Sequence, residues 1–145
     1  MIDNFKDEYN EFSNFYPCVI YHKGLRFESV EHAYVASKSN EYFFWKLISQ
    51  LPANKAGLAK KRGRSIKLRE DWNEIKLELM EELLKKKFEI KKFKEKLLST
   101  GDEHLVEGNY WHDNYWGNCF CKKCKNIEGQ NMLGKLLMKI RRNLD

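Results

Sequence analysis

Between Glu74 and Phe88 the apolar residues Ile75, Leu79, Leu83, Leu84 and Phe88 recur close to once per helical turn, with Lys and Glu filling the outward face. This is the pattern of an amphipathic α-helix, whose apolar stripe is stable only when other elements cover it. Phe93, Leu97 and Leu98 carry the same period onward, and Leu133, Leu136, Leu137 and Ile140 mark another helix from about Asn131 to Leu144. A chain committed to so much helix packing is excluded from the all-β sandwiches and barrels. Its 145 residues suffice for one core. Hydrophobic residues make up 42% and aromatics 14%, against only 2 prolines and 8 glycines, which excludes disordered and low-complexity classes.

Short apolar runs at residues 18–21 and 25–27 flank His22-Lys23-Gly24, which reads as a hairpin with glycine in the positive-φ turn position. Ser29 is placed to cap a helix running through Lys38. The aromatic block Tyr42-Phe43-Phe44-Trp45, with Leu47 and Ile48, continues in helical spacing to Pro52 and reads as core. Thr100 and Glu103 have the spacing of a capping box and Gly108 offers a stop, predicting a short helix over 102–107. The expected fold class is α+β: a mainly helical single domain over 1–145 with a small β element. No run of 18 apolar residues occurs, and the start lacks a basic stretch followed by an apolar one, so a cytoplasmic protein with no membrane partner is expected.

The net charge of +6 is unevenly placed. Residues 55–96 hold 15 Lys+Arg against 8 Asp+Glu, while the flanking thirds are nearly balanced. A basic middle suits a phosphate-bearing or nucleic-acid partner, although Lys-rich helices are also common as plain solvated surfaces.

Charged residues inside apolar helical stretches are informative, because burying a charge is costly unless it is paired or used. Glu31 and Lys38 lie seven apart, two turns along one helix face with Tyr34 between them, where one ligand can touch both. The alternative is that each merely complements the helix dipole. Arg62-Gly63-Arg64 has the makings of a phosphate clamp, with glycine allowing close backbone approach, and Trp72 with Lys76 offers a stacking face beside a cation. A core anchor and a basic surface are the competing readings. The run from Glu107 to Gly117 holds four aromatics, two acids, two asparagines and a histidine without periodicity, which suits a loop that grips a flat heterocycle.

Cys119, Cys121 and Cys124 crowd three thiols into six residues, while Cys18 stands alone. Two residues between Cys121 and Cys124 is a zinc-ligand spacing, yet a structural zinc requires four ligands. Reduced thiols without metal are therefore the expected state. Zinc held by the three cysteines with His112, Asp113 or Cys18, or a site completed across an oligomer, is the alternative.

Taken in order, these segments resemble the NADAR superfamily of YbiA-like proteins. The matching pieces are Glu11 to Phe15, then Val30-Glu31-His32 with Tyr34 and Lys38, Gly63-Arg64, Asp71-Trp72 through Lys76, Met80, and Lys87-Phe88. Leu105-Val106-Glu107, Asp113 to Gly117, Gly129 to Gly134, Leu137-Met138 and Arg141 follow. The resemblance implies an enzyme without a cofactor that breaks N-glycosidic bonds. Its substrate would be ADP-ribose on the amino group of guanine in nucleic acid, or a small phosphorylated nucleotide of riboflavin biosynthesis. In the first case a toxin-type ADP-ribosyltransferase is the functional counterpart. A noncatalytic ADP-ribose or nucleic-acid binding module is a further alternative. Carried over residue by residue, the catalytic groups are Glu31, Lys38 and Asp113. Ser13, Asn14, Arg64, Trp72, Lys76, Glu107 and Trp116 are the substrate-binding residues. The aromatic insert after Glu107-Gly108 and the cysteine cluster depart from the family pattern.

The chemistry suits these residue types. Cleaving a ribosyl C1–N bond develops positive charge at C1, which a carboxylate stabilises while an acid protonates the leaving amine. Glu31 and Asp113 can divide those roles. Lys38 offers a second route, as a nucleophile that takes the opened sugar as a Schiff base. That route requires a partly neutral amine, which burial favours.

Overall fold

The computed structural model describes residues 1–144. The chain gathers into two compact units, a central one formed by Asn14–Lys87 and a terminal one formed by Met1–Ser13 with the chain from Phe88 onward. Both are α+β in composition, and among the described residues no helix is long and apolar enough to cross a membrane.

The central unit opens with strands β1 (Ile20–His22) and β2 (Leu25–Phe27), paired antiparallel with Ile20 opposite Phe27. Lys23 and Gly24 both have positive φ, so the two-residue turn is of the primed type that matches strand twist. Ser29 caps α1 (Val30–Ala36) by accepting from the His32 amide at 3.1 Å. The predicted helix ends two residues early. At Ser37 the backbone begins to turn, with the Lys38 amide reaching only to Val35 O, and Lys38 stands beyond the last turn.

Helices α2 (Tyr42–Ser49) and α3 (Ala56–Gly63) both pack on α1, and α2 also packs on β2. The expectation that the aromatic block forms core holds only for Phe44 and Ile48. Tyr42, Phe43 and Leu47 are exposed, Phe43 at 78%. A helix of eight residues packed on one side has room to bury only one stripe, and Phe44 and Ile48, four apart, take it. The long helix α4 (Trp72–Glu89) follows its periodicity closely: Leu79, Leu83, Leu84 and Phe88 are buried, joined by Trp72 and Met80.

In the terminal unit the period continues in α5 (Lys91–Leu98), a separate helix because Ile90 is extended. Phe93 packs edge-on to Phe88, which also meets Phe12 from the 3₁₀ turn Asp7–Phe12. The predicted helix over 102–107 does not form. Thr100 Oγ1 donates to Leu97 O at the end of α5, and Gly101 takes positive φ and stops the helix. The following segment is extended, with Leu105 bridging Ile2 in parallel. Strands β3 (Gly108–Asn109) and β4 (Asn118–Cys119) then pair in parallel, a ladder too short to leave a periodic signal. Helix α6 (Met132–Arg142) closes the described chain and buries Leu133, Leu136, Leu137 and Ile140, as expected.

Candidate active site

Glu31 lies on the first turn of α1 and is buried, and its amide donates to Asn14 O at 3.0 Å. That bond ties the Glu11–Phe15 motif to the start of the helix. His32 beside it is structural: Ser29 Oγ lies 2.6 Å from Nδ1, and Nε2 donates to Pro52 O at 3.1 Å, which sets the tautomer. One turn on, Tyr34 packs against Trp72 with ring centroids 5.0 Å apart, and the Lys38 ammonium lies 5.5 Å from the Tyr34 ring. Both rings are buried, so Trp72 acts here as an anchor of the α1–α4 contact.

Gly63 has a different role from the one its sequence context suggested. A Cβ there would sit 2.9 Å from Val35 Cγ1 and 3.6 Å from Lys38 Cδ. The glycine lets α3 approach α1 closely instead of exposing backbone to a phosphate. Arg62 and Arg64 flank it and are exposed. The Arg69 amide donates to Lys38 O at 2.8 Å, while the Arg69 guanidinium holds Asp71 through bonds of 2.6 and 2.9 Å.

Burial pushes the Lys38 amine below its ordinary range; Glu31 pulls it back up, and the charges of Lys60, Arg64 and Lys76 push it down again. The central unit thus assembles Glu31, Lys38, Arg64 and Lys76 into one electrostatic group, with Tyr34 and Trp72 beneath. Lys60 is the member that the sequence reading missed; its place four residues before Arg64, the residue that caps α3, was the available signal. An open cleft of about 830 Å³ begins at Ser39 and is lined by Phe43, Leu47, Leu68, Arg62, Lys67 and Arg69 among others. Neither Glu31 nor Lys38 lines it, although the next residue after Lys38 does.

The remaining candidates lie in the terminal unit. Ser13 ends the first 3₁₀ turn, its amide donating to Asn10 O. Asp113 Oδ1 accepts from the amides of Tyr115 and Trp116 at 3.1 and 2.9 Å, fixing the turn that carries Trp116. Behind it the fully buried Asn109 bonds Asp113 O, the Asp113 amide and Glu107 Oε2. Gly117 is obligatory, since a Cβ would collide with Glu107 Oε2 and with the Glu107 carbonyl. Asn131, in left-handed conformation, accepts from the Glu107 amide and donates to Leu105 O, each at 2.9 Å. Asn109 and Asn131 lie in segments that the sequence singled out, the run from Glu107 to Gly117 and the match from Gly129 to Gly134, but neither was given a role, because residue type alone does not tell which backbone groups an asparagine bonds. Nearby, His112, Cys119, Cys121 and Cys124 bring their ligand atoms within 4.8 Å of one another.

A family model described as the NADAR domain matches residues 2–145. An N-glycosidase of Nostoc punctiforme is 37% identical over 140 residues, covering 94% of this chain and 86% of the relative. The N-glycosidase YbiA of Escherichia coli is 32% identical over 139 residues, covering 95% and 83%. The NMR structure of that E. coli protein superposes with a TM-score of 0.80 over 99% of this chain and 86% of its own, at 30% identity. A riboflavin biosynthesis protein of Vibrio vulnificus is 33% identical over 135 residues, which is 91% of this chain and 35% of the relative.

Proposed function

The chain belongs to the NADAR family, and we infer that it is an N-glycosidase whose substrate is ADP-ribose joined to the exocyclic amine of guanine in nucleic acid. The observation that carries this reading is the lysine group of the central unit: an amine whose hold on its proton is weakened by burial and by the charges of Lys60, Arg64 and Lys76, and strengthened by the buried Glu31 carboxylate. Lys60, Arg64 and Lys76 suit the pyrophosphate of ADP-ribose. The cleft that starts at Ser39, with exposed Phe43 and Leu68 beside Arg62 and Lys67, offers stacking and phosphate contacts for a larger nucleic-acid substrate.

In this reading the N-riboside opens to its imine, and the neutral Lys38 amine adds to C1. The resulting aminal collapses, breaking the bond from C1 to guanine, and the guanine amine leaves with a proton. Lys38 remains as a Schiff base, which water hydrolyses to free ADP-ribose and the lysine, so one water is consumed per bond broken. Glu31 stabilises the cationic carbon and carries protons between the steps. Asp113 is assigned the proton for the leaving amine, and Ser13, Asn14, Glu107 and Trp116 the binding of substrate, on the strength of the family resemblance; Trp72, which the resemblance also puts among the binding residues, is buried against Tyr34 and serves by positioning α1. The counterpart activity is an ADP-ribosyltransferase that makes the lesion.

A second reading is favoured by the name of the Vibrio relative: hydrolysis of a small phosphorylated intermediate of riboflavin biosynthesis. It needs one phosphate clamp, which Arg64 can supply. Incubation with guanine-ADP-ribosylated DNA or RNA and, separately, with the phosphorylated riboflavin intermediates distinguishes them by the product released. Release from the intermediates alone would transfer the assignment to the second reading. Release from neither, with tight ADP-ribose binding, would leave a binding module.

A further inference from the structure

The cysteine cluster read as plain thiols because its own spacing supplies only three ligands, with His112, Asp113 and Cys18 as candidates for a fourth, and in the terminal unit it is His112 that lies among the three thiols. Cys119 ends β4 and Cys121 follows two residues later in extended chain. Alternate residues of a strand share a side, so both thiols turn one way while Phe120 between them faces out. The 3₁₀ turn Lys122–Cys124 then folds back, with the Cys124 amide on Cys121 O, and brings the third thiol to the same point. His112 has φ of 70°, a conformation that costs a non-glycine residue about 1–2 kcal/mol, and in it the ring reaches the thiols.

The distances are those of a shared centre. His112 Nδ1 lies 3.3 Å from Cys121 Sγ, 3.3 Å from Cys124 Sγ and 3.9 Å from Cys119 Sγ. A ring nitrogen has one proton or one lone pair and can satisfy one hydrogen bond, so three sulfurs around it are not explained by hydrogen bonding. A tetrahedral zinc with bonds of ~2.3 Å to sulfur and ~2.0–2.1 Å to nitrogen puts its sulfur and nitrogen ligands ~3.5 Å apart, in the middle of the observed range. Outer contacts suit thiolates: the His112 amide lies 3.3 Å from Cys119 Sγ, and Asn114 Nδ2 lies 3.4 Å from Cys124 Sγ. Asn114 Oδ1 in turn accepts from the Cys119 amide at 2.9 Å. Three thiolates around Zn²⁺ leave one negative charge, and Lys122, Lys123 and Lys125 are exposed alongside.

We propose that Cys119, Cys121, Cys124 and His112 bind one zinc ion in a closed structural site that pins the Tyr110–Trp116 loop to β4. Binding displaces the thiol protons to solvent, with no change of oxidation state. All four positions are filled by protein atoms, so the ion has no open coordination for substrate and braces the loop without entering the reaction.

The test is metal analysis of the full chain purified without a polyhistidine tag. The expected result is about one zinc per chain, retained in Cys18→Ser and lost in Cys119→Ser and Cys124→Ser. Cobalt(II) in place of zinc should give the intense visible bands of a tetrahedral thiolate centre. Those bands should weaken in Cys121→Ser and in His112→Ala and persist in His112→Cys. If the serine variants do not fold, the wild-type protein decides: chelation should expose the three thiols to alkylation, and returned zinc should protect them again. Less than about 0.2 zinc per chain after incubation with zinc salt, with a weak octahedral cobalt spectrum, would overturn the proposal. So would a disulfide among the three cysteines in freshly purified protein.

Discussion

Gly63→Ala tests whether the approach of α3 to α1 is as tight as the structure shows. On helix propensity alone the substitution stabilises, by at most about 1 kcal/mol, and less at the last helical position. Against that stands a Cβ 2.9 Å from Val35 Cγ1. Val35 is completely buried and β-branched, so it has no alternative rotamer to swing into. Overpacking of this kind costs about 1–3 kcal/mol, and the expected net effect is a loss of roughly 1–2 kcal/mol. Val35→Ala removes the two methyls and costs about 2 kcal/mol by itself. In the double variant the new methyl enters the vacated space, so the two losses should fall short of additive by about 1 kcal/mol or more. Urea unfolding of the four proteins, at unchanged m-value, measures the cycle. Lys38 Cδ lies at an ordinary contact distance of 3.6 Å from the same Cβ, so the turnover of folded Gly63→Ala should be little changed. A stabilised Gly63→Ala with additive energies would refute the close contact between α3 and Val35 of α1.

Lys38→Ala and Glu31→Ala should each lower turnover at least about a hundredfold, some 2.7 kcal/mol of transition-state stabilisation, with unfolding still cooperative. Lys38→Arg should be as inactive as alanine, and borohydride with substrate should trap an adduct on Lys38; full activity in both variants would remove the covalent route. The single-turnover rate should rise with pH along a limb below the ordinary lysine value of 10.5. Lys60→Gln should move that limb to higher pH, because it removes a charge that disfavours the ammonium. The stability sign is the same: between the folded and unfolded pKa values the unfolded chain binds the extra proton, so this group's contribution improves as pH rises through that window. Asn131→Ala should cost about 3 kcal/mol, from two hydrogen bonds and a left-handed backbone at φ 50°, whereas Asn131→Gly should recover the backbone part. Equal losses in thermal or urea unfolding would contradict that division.

The main helices and the hairpin were readable because their signals are local. Periodicity near 3.6 marked α4, α5 and α6, a serine hydroxyl marked the start of α1, and Lys23-Gly24 marked the turn. Where local signals compete, neighbours decided. Thr100 to Glu103 has the residues of a helix start, but Gly101 in the left-handed region and the Ile2–Leu105 bridge made it a helix end and an extended segment. Tyr42 and Phe43 are as hydrophobic as Phe44, and only the face that α1 and β2 cover determined which was buried.

The candidate site divides the same way. Glu31 and Lys38 stood out in sequence because charges amid apolar residues are expensive, and Cys119, Cys121 and Cys124 because of their spacing. That Lys38 is disfavoured as an ammonium required tertiary structure, since its burial depends on the packing around α1 and the charges of Lys60, Arg64 and Lys76 come from α3 with its C-cap and from α4. His112 became a partner of the cysteines through its own positive φ and the β3–β4 ladder, neither of which leaves a sequence pattern. Residue type and spacing along one helix or strand follow from the chain itself. The value of an amine's pKa and the closure of a four-atom cluster depend on distances through space, which only the packed structure establishes.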